Sequence, residues 1–208
     1  MEYEYLKSRY KAGEPIFLSD INIAGMTEEN LRYYMKKYVD NGLIKRFDSG
    51  VYYIPVETLT GEKSVISSET VAFNKYICRE GKRVGFYSGY TLANKMGLTT
   101  QVPFVEEIIS NYSPAIVREV NIKNRKYVVR KPVIEITENN IYVLELLECL
   151  KDIDKTAEVD MKKCGEILKK YITKHHITKK TINQYLNYYP VRIYKAIYET
   201  GVESSLEH

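Results

Sequence analysis

The chain has 208 residues and a net charge of +4, and 44% of its residues are hydrophobic, 28% charged and 12% aromatic. This length and composition predict one large or two small hydrophobic cores and exclude a disordered tail. No apolar run approaches the roughly 20 residues of a membrane helix, and Met1 leads into charged residues rather than into a signal peptide. The three cysteines are scattered, which favours a reducing cytoplasm over a disulfide framework or a zinc site. We therefore expect a cytoplasmic protein with no metal and no cofactor.

The net charge is unevenly distributed along the chain. Residues 1–60 carry 8 Lys or Arg against 9 Asp or Glu, which is −1. Residues 61–137 carry 12 against 7, which is +5, and residues 138–208 carry 11 against 11, which is zero. The basic excess therefore lies in the middle of the chain.

The first 57 residues predict an ordered series of short elements. Helices are expected over residues 2–11 and from Leu18 until Gly25 breaks the second one. Thr27 is a suitable N-cap for a third helix that ends at Asn41-Gly42. The apolar stripe of that third helix is formed by Leu31, Tyr34, Met35, Tyr38 and Val39. Two strands joined by Asp48-Ser49-Gly50 then complete a β-hairpin. This order is typical of a winged helix-turn-helix.

The remainder of the chain predicts a second domain. A polar stretch at residues 58–64 is a suitable link, and residues 64–205 alternate helices and strands before becoming helical. Residues 206–208 are interpreted as a cloning-tag remnant. The predicted fold class is α+β, with a winged helix-turn-helix over residues 1–57 followed by a mixed α/β domain with a helical C-terminal section.

Three expectations for this second domain are specific enough to test. A continuous helix is predicted over residues 68–79. Thr137 is expected to cap a helix that ends near Leu150, and Thr178 to open a later helix. Pro190 is expected to begin a further helix rather than to kink one.

The strongest candidate site is the outer face of the third helix together with the hairpin. Short polar or cationic side chains on such a face can reach base edges and phosphates. The candidate DNA-binding residues are Arg32, Tyr33, Lys36, Lys37, Lys45, Arg46 and Ser49. Winged helices also mediate protein contacts, so a protein-interaction adaptor is the alternative interpretation.

A second basic patch is predicted on a later β-hairpin. Its residues are Arg118, Lys123, Arg125, Lys126, Arg130 and Lys131. Such a patch could hold phosphates or an acidic protein, or could be an exposed hairpin that its lysines keep soluble. Strand alternation need not place all six charges on one face.

Enzymatic interpretations have weaker support in the sequence. Gly85-Phe86-Tyr87-Ser88-Gly89 resembles a nucleophile elbow, but its serine occupies the fourth position rather than the third. Asp152 and Asp154 could hold Mg²⁺ in a metal-dependent nucleotidyltransferase, although no phosphate-binding loop accompanies them. His175 and His176 are expected to interact with a helix dipole. We therefore predict no catalytic residue.

Two stretches resemble a known family. The segment from Gly42 to Pro55 is similar to the wing of the AbiEi antitoxins, in which a leucine-rich helix end precedes an Arg-containing strand and Gly-x-Tyr. The segment from Gly89 to Pro103 is similar to the Ser/Thr-x-Leu-Ala, Gly-Leu and Pro pattern of that family's second domain.

The resemblance implies an abortive-infection or toxin–antitoxin system of type IV. It implies a winged helix that binds inverted repeats upstream of its own operon and represses transcription. It also implies that the protein opposes a nucleotidyltransferase-like toxin, with or without direct contact. The resemblance assigns no residues to the antitoxin activity.

Overall fold

A computed structural model describes residues 2–57, 61 and 63–206 and divides the chain into two compact units. The first unit comprises Met1–Asn74 with Ile122–Asn124, and the second comprises Lys75–Asn121 with Arg125–His208. Both helices and strands are present, which confirms the α+β class. Residues 58–60 and 62 of the predicted link, and residues 207 and 208 of the predicted tag remnant, lie outside the described residues.

The first unit is a small helical core closed by an antiparallel sheet. Its elements are α1 (Tyr3–Arg9), β1 (Pro15–Phe17), a 3₁₀ turn (Leu18–Asp20), α2 (Glu28–Asp40), β2 (Lys45–Asp48), β3 (Val51–Tyr53) and α3 (Ser68–Ala72). Both β1 and β2 pair with β3, which gives the order β1-β3-β2. Buried side chains from α1, β1, the 3₁₀ turn, α2 and β3, together with Ile44 just before β2, form one core, which includes Leu6, Ile16, Leu18, Leu31 and Met35.

Local signals in this unit produce the predicted third helix and hairpin turn, whereas the predicted second helix is only the 3₁₀ turn Leu18–Asp20. The Thr27 hydroxyl accepts a hydrogen bond from the Asn30 amide at 3.3 Å, which confirms the N-cap of α2. Leu31, Met35 and Tyr38 are buried, whereas the outer members of the predicted stripe are only half-buried. Gly50 has a φ of +69° in the turn between β2 and β3, a conformation that glycine adopts without steric cost.

The second unit places a mixed sheet against a group of helices. A π-helical turn at Phe73–Ile77 leads into it. Its strands are β4 (Cys78–Arg79), β5 (Lys82–Arg83), β6 (Gly85–Ser88), β7 (Glu106–Ser110), β8 (Val117–Ile122) and β9 (Arg125–Arg130). Its helices are α4 (Gly89–Met96), α5 (Ile141–Thr156), α6 (Met161–Lys174), α7 (Lys179–Leu186) and α8 (Arg192–Thr200), followed by a 3₁₀ turn at Val202–Ser205. The larger sheet has the order β6-β7-β9-β8, with β6 antiparallel and β9 parallel to β7.

The helix α5 is the centre of this unit. Ten of its sixteen residues are buried, and it packs on β6 and against α4, α7 and α8. The core around it includes Phe86, Leu92, Leu147, Leu168 and Ile193. No helix within the described residues is long and apolar enough to cross a membrane.

Two predicted helices have different bounds in the structure. An α-helix is expected over residues 68–79, but α3 ends at Ala72 and the π-helical turn follows it. Residues 78 and 79 form β4, which pairs with β5. The turn at Glu80 and Gly81, both at positive φ, makes this short hairpin possible.

The prediction that Thr137 caps a helix ending near Leu150 is also wrong. Residues 137–140 form a turn, and α5 runs from Ile141 to Thr156 because Ile153 continues its buried stripe.

The later helices begin where the sequence predicts. The Thr178 side chain accepts from the Thr181 amide while the Thr181 hydroxyl accepts from the Thr178 amide, which is a reciprocal cap for α7. The carbonyl of Pro190 accepts from the Ile193 amide, and α8 follows at once. Both starts depend on local backbone chemistry, which explains why they are predictable.

The exposed carboxylate of Glu158, in the turn before α6, holds the loop that follows α4. Glu158 accepts hydrogen bonds from the amide and hydroxyl of Thr100 at 2.7 and 3.0 Å and from the Gln101 side chain at 2.9 Å. These donors, the Thr100 amide first, lower the pKa of Glu158 to about 2. The loop after Gly97 is therefore held by a charge-assisted network.

Candidate nucleic-acid interface

The outer face of α2 carries four of the predicted DNA-binding residues. Arg32, Tyr33, Lys36 and Lys37 are all exposed, and the Tyr33 ring is 64% accessible. They lie on this face because α2 buries the opposite stripe around Met35, which is completely inaccessible. The structure therefore brings these four side chains to one solvent-facing surface.

The charges on this helix balance. Its acidic side chains are Glu28, Glu29 and Asp40, and its basic ones are Arg32, Lys36 and Lys37, so three against three give zero. Arg32 donates from Nε to Glu28 at 3.0 Å, an exposed pair one turn apart. Among the described residues, no acidic group forms an ion pair with Lys36 or Lys37. The uncompensated positive charge thus lies in the second half of α2.

The hairpin residues differ in their freedom to contact a ligand. Lys45 is half-buried, and its ammonium donates to the carbonyl of Lys63 at 3.1 Å. Arg46 is exposed, and its Nε donates to the carbonyl of Asp48 at 3.3 Å. Ser49 is exposed at the turn, where its amide donates to the Asp48 carboxylate at 2.7 Å. Arg46 and Ser49 are therefore accessible, whereas Lys45 supports the base of the hairpin.

Sequence reasoning missed a residue that stabilises this hairpin. Lys63 lies in the stretch predicted as a link, and its ammonium donates to the carbonyl of Gly42 at 2.7 Å. Lys45, the first residue of β2, donates to the Lys63 carbonyl, and Lys63 donates to the Gly42 carbonyl just before β2, so two lysine-to-carbonyl bonds hold residue 63 to the start of the hairpin. Lys45 and Lys63 are 18 positions apart in the sequence, and Gly42 and Lys63 are 21 apart, so no local sequence pattern predicts these contacts.

The second basic patch is largely neutralised by carboxylates. Arg125 contacts Glu106 at 2.6 Å, Lys126 contacts Glu119 at 2.8 Å, and Arg130 contacts Glu107 at 2.5 Å. Only Arg118, Lys123 and Lys131 are exposed in this set. Lys123 belongs to the first unit by its contacts, and its ammonium lies 4.1 Å from the centre of the Phe47 ring. The six residues do not form one continuous cationic surface.

The residues considered for catalysis have structural contacts. Ser88 is 1% exposed, so its hydroxyl is closed to solvent. Asp152 lies inside α5 and contacts Arg192 at 2.7 Å, and Asp154 is exposed two residues further along the helix, on another side. His175 follows α6, as predicted, and stacks on Tyr142 with ring centres 3.8 Å apart. Burial, then the neighbouring cations, lower the pKa of His175.

Comparison with known proteins identifies the family. Residues 3–177 match the model of DUF6088, a family of unknown function. Because the match covers most of the chain, the protein belongs to that family. A search of curated proteins finds no match.

Proposed function

We propose that this protein is a DNA-binding transcriptional repressor of its own operon and an antitoxin against a nucleotidyltransferase-type toxin. The first unit supports the DNA-binding part of the proposal. Its order α1, β1, 3₁₀ turn, α2, β2, β3, with β1 added beside the β2–β3 hairpin, is the order expected of a winged helix-turn-helix. In this assignment α2 is the recognition helix and the hairpin is the wing.

The observation that carries the proposal is the accessible surface formed by Tyr33, Lys36 and Lys37 on α2. Two lysines without carboxylate partners among the described residues can neutralise phosphates and release counterions. Tyr33 presents an exposed ring and hydroxyl beside them, which can contact a base edge or sugar. Arg46 and Ser49 on the wing add an accessible guanidinium and hydroxyl.

The acidic first turn of α2 limits which part of the helix approaches DNA. Glu28 and Glu29 would face phosphates with like charge if the helix entered the groove by its N-terminus alone. Arg32 can exchange its exposed pairing with Glu28 for a phosphate at low cost, because exposed ion pairs contribute only about 0–1 kcal/mol. We therefore assign the main contacts to the middle and C-terminal half of α2.

Salt-dependent DNA binding tests this assignment. We expect the full chain to shift a duplex carrying its own upstream region, and Lys36→Ala/Lys37→Ala to bind more weakly because two phosphate contacts are lost. The slope of log affinity against log salt should become shallower by about 2. The control is Lys169→Ala/Lys170→Ala, the same charge change on α6 in the second unit.

Equal binding by wild type and Lys36→Ala/Lys37→Ala near physiological salt would contradict the recognition-helix assignment. If the wild type shows no salt-dependent DNA binding but retains an acidic protein partner, the protein is an adaptor. DNA titrations of the wild type, the Lys36→Ala/Lys37→Ala variant and the control variant at several salt concentrations distinguish equal binding from an absence of DNA binding.

The antitoxin part of the proposal is supported by the resemblance to AbiEi antitoxins. The stretch from Gly89 to Pro103 that carries it corresponds to α4 and the loop after it. Gly97 ends α4 with a φ of +81°, and Glu158 holds the following residues, so this stretch has a defined structure. The proposed partners are operator DNA, as inverted repeats, and a cognate nucleotidyltransferase-like toxin. We also propose that the protein is cytoplasmic and that it is not an enzyme.

Growth rescue tests the antitoxin activity. We expect an adjacent reading frame to encode a nucleotidyltransferase-like protein whose expression arrests growth, and co-expression of this chain to restore growth. With both genes under unrelated promoters, Lys36→Ala/Lys37→Ala should rescue as well as the wild type, because repression is then bypassed. Persistent arrest in the presence of folded wild-type protein would contradict the antitoxin assignment.

A further inference from the structure

A cavity of about 140 Å³ lies in the second unit, between the larger sheet and α5. Its sheet wall is a row of cross-strand neighbours: Phe86 on β6 pairs with Ile109 on β7, and Ile109 with Arg130 on β9. Since cross-strand neighbours point to the same face, these three side chains share the face that packs on α5. Arg130 is thus a basic residue beside an apolar floor, and not part of an outward-facing patch.

The helix wall of the cavity combines apolar and charged groups. Leu144, Glu148 and Lys151 are spaced i, i+4 and i+7 on α5 and line the cavity together. The Glu148 side chain is 5% exposed and forms an ion pair with the Lys151 ammonium. Lys151 also lies 3.4 Å from Asp152. The buried carboxylate therefore holds Lys151 beside the cavity.

Arg130 brings a partly exposed guanidinium to the cavity. Arg130 contacts Glu107 through Nη2 at 2.5 Å, but its buried Nε has no hydrogen-bond partner within the part of the chain that the structure describes. Because this Nε is buried, an acceptor from outside the chain would reach the guanidinium at its exposed part, which makes the Arg130 side chain 39% accessible.

The charges of the lining favour an anion. Arg130, Lys131 and Lys151 stand against the single carboxylate Glu148, so the lining itself is net positive by two. Burial raises the pKa of Glu148, and its neighbour Lys151 opposes that rise. Beyond the lining, Glu107 and Asp152 offset part of the charge of Arg130 and Lys151, whereas Lys131 is exposed. Lys131 and the exposed part of the Arg130 guanidinium are therefore the groups available to a ligand.

We propose that this cavity binds a small organic anion, with an apolar body the size of a benzene ring and one carboxylate or phosphate group. The volume is close to that of an engineered cavity of about 150 Å³ that admits benzene. The apolar body would lie on Phe86, Ile109 and Leu144, and the anionic oxygens would accept from Arg130 and Lys131. This inference concerns the second unit alone and does not depend on the DNA-binding proposal.

Titration of the full-length protein with simple probes tests the site. The probes are benzoate, phenyl phosphate, neutral benzamide and inorganic phosphate, each followed by calorimetry or ligand-observed NMR at millimolar concentrations. We expect saturable binding of benzoate or phenyl phosphate and much weaker binding of benzamide and inorganic phosphate. Preference for phenyl phosphate would identify a phosphate ester, and preference for benzoate a carboxylic acid.

Two substitutions separate the anion site from an unspecific apolar cavity. Arg130→Met should weaken binding about tenfold or more, because it removes a charge-assisted donor. Glu148→Gln should strengthen anion binding, since it removes the nearby negative charge and frees Lys151. Arg83→Met is the matched control, because Arg83 also pairs with a carboxylate, that of Glu145 on α5 at 2.8 Å, and also has a buried Nε without a partner among the described residues, yet does not line the cavity.

Circular dichroism confirms folding of each variant before titration. The proposal is overturned if neither anion binds to the wild type, if benzamide binds as tightly as benzoate, or if Arg83→Met weakens binding as much as Arg130→Met. Weaker anion binding by folded Glu148→Gln would likewise overturn it, because the negative charge of Glu148 would then support anion binding rather than oppose it.

Discussion

Replacing Gly165 with alanine should destabilise the second unit by about 3 kcal/mol, because no space exists for a Cβ atom at this position. A Cβ on Gly165 would lie 2.0 Å from the carbonyl oxygen of Thr200, where α6 and α8 cross. The obstacle is backbone rather than a flexible side-chain end, so the helices themselves would have to separate. Cys164 and Leu168 on α6 and Ile193 and Ala196 on α8 would then lose close packing.

Helix propensity alone predicts the opposite result. Alanine favours a helix over glycine by about 1 kcal/mol, so an isolated α6 would gain stability from the substitution. The expected loss from overpacking is larger, and the net effect is destabilising. A stability equal to or above that of the wild type would show that α6 and α8 do not approach this closely.

Chemical denaturation followed by circular dichroism measures this change. Lys162→Ala on the exposed side of α6 is the control and should alter the free energy of unfolding by at most about 0.5 kcal/mol. Because the chain contains no tryptophan, tyrosine fluorescence provides a second probe from its 20 tyrosines.

Met35→Ala should destabilise the first unit by about 2–5 kcal/mol, the usual cost of truncating a buried methionine. Met35 is 0% exposed and lies between Leu31 and Tyr38 on the buried stripe of α2. The substitution removes buried apolar atoms and leaves a cavity beneath the proposed recognition helix. The substitution therefore disturbs the packing that supports α2, whereas the side chains proposed to contact DNA are unchanged.

Hydrogen exchange of the peptide covering residues 28–40 reports this change locally. We expect faster exchange in Met35→Ala, and exchange close to that of the wild type in Tyr33→Ala. Tyr33 is 64% exposed and forms an edge-to-face contact with Tyr34, with ring centres 5.6 Å apart, so its loss should cost about 0.5 kcal/mol or less. Equal acceleration in the two variants would contradict the assignment of one buried and one exposed face to α2.

Together the two substitutions distinguish a loss of fold from a loss of site. Gly165→Ala acts on the second unit and Met35→Ala on the first, and each has an exposed control on the same helix. DNA affinity measured on these variants can then be interpreted against a known change in stability. A variant that binds weakly while its stability is unchanged identifies a contact residue.

Much of the proposed DNA-binding face was predictable because its causes are local. The third-helix N-cap at Thr27, the buried Leu31 and Met35, and the positive φ at Gly50 all follow from side-chain chemistry within a few residues. The four candidate residues on α2 were proposed from the same periodicity, and Lys45, Arg46 and Ser49 from their place on the predicted wing. What the sequence could not show is that Lys45 is held by the carbonyl of Lys63.

The second basic patch demonstrates the limit of sequence reasoning. Six cations within fourteen residues indicate a cationic surface, yet three of them pair with carboxylates, two of which lie on β7. Pairing between parallel strands joins residues about twenty positions apart, and no local pattern specifies it. The orientation of Arg130 toward α5 follows from this register alone.

The sequence by itself determined the α+β class, the starts of α2, α7 and α8, and the buried and exposed faces of α2, because caps and hydrophobic periodicity act over one or two turns. The tertiary structure decided the end of α3, the extent of α5, the neutralisation of the basic hairpin and the cavity at Arg130. Each of these depends on side chains or backbone groups brought together from distant parts of the chain, where packing and ion pairing outweigh local preference.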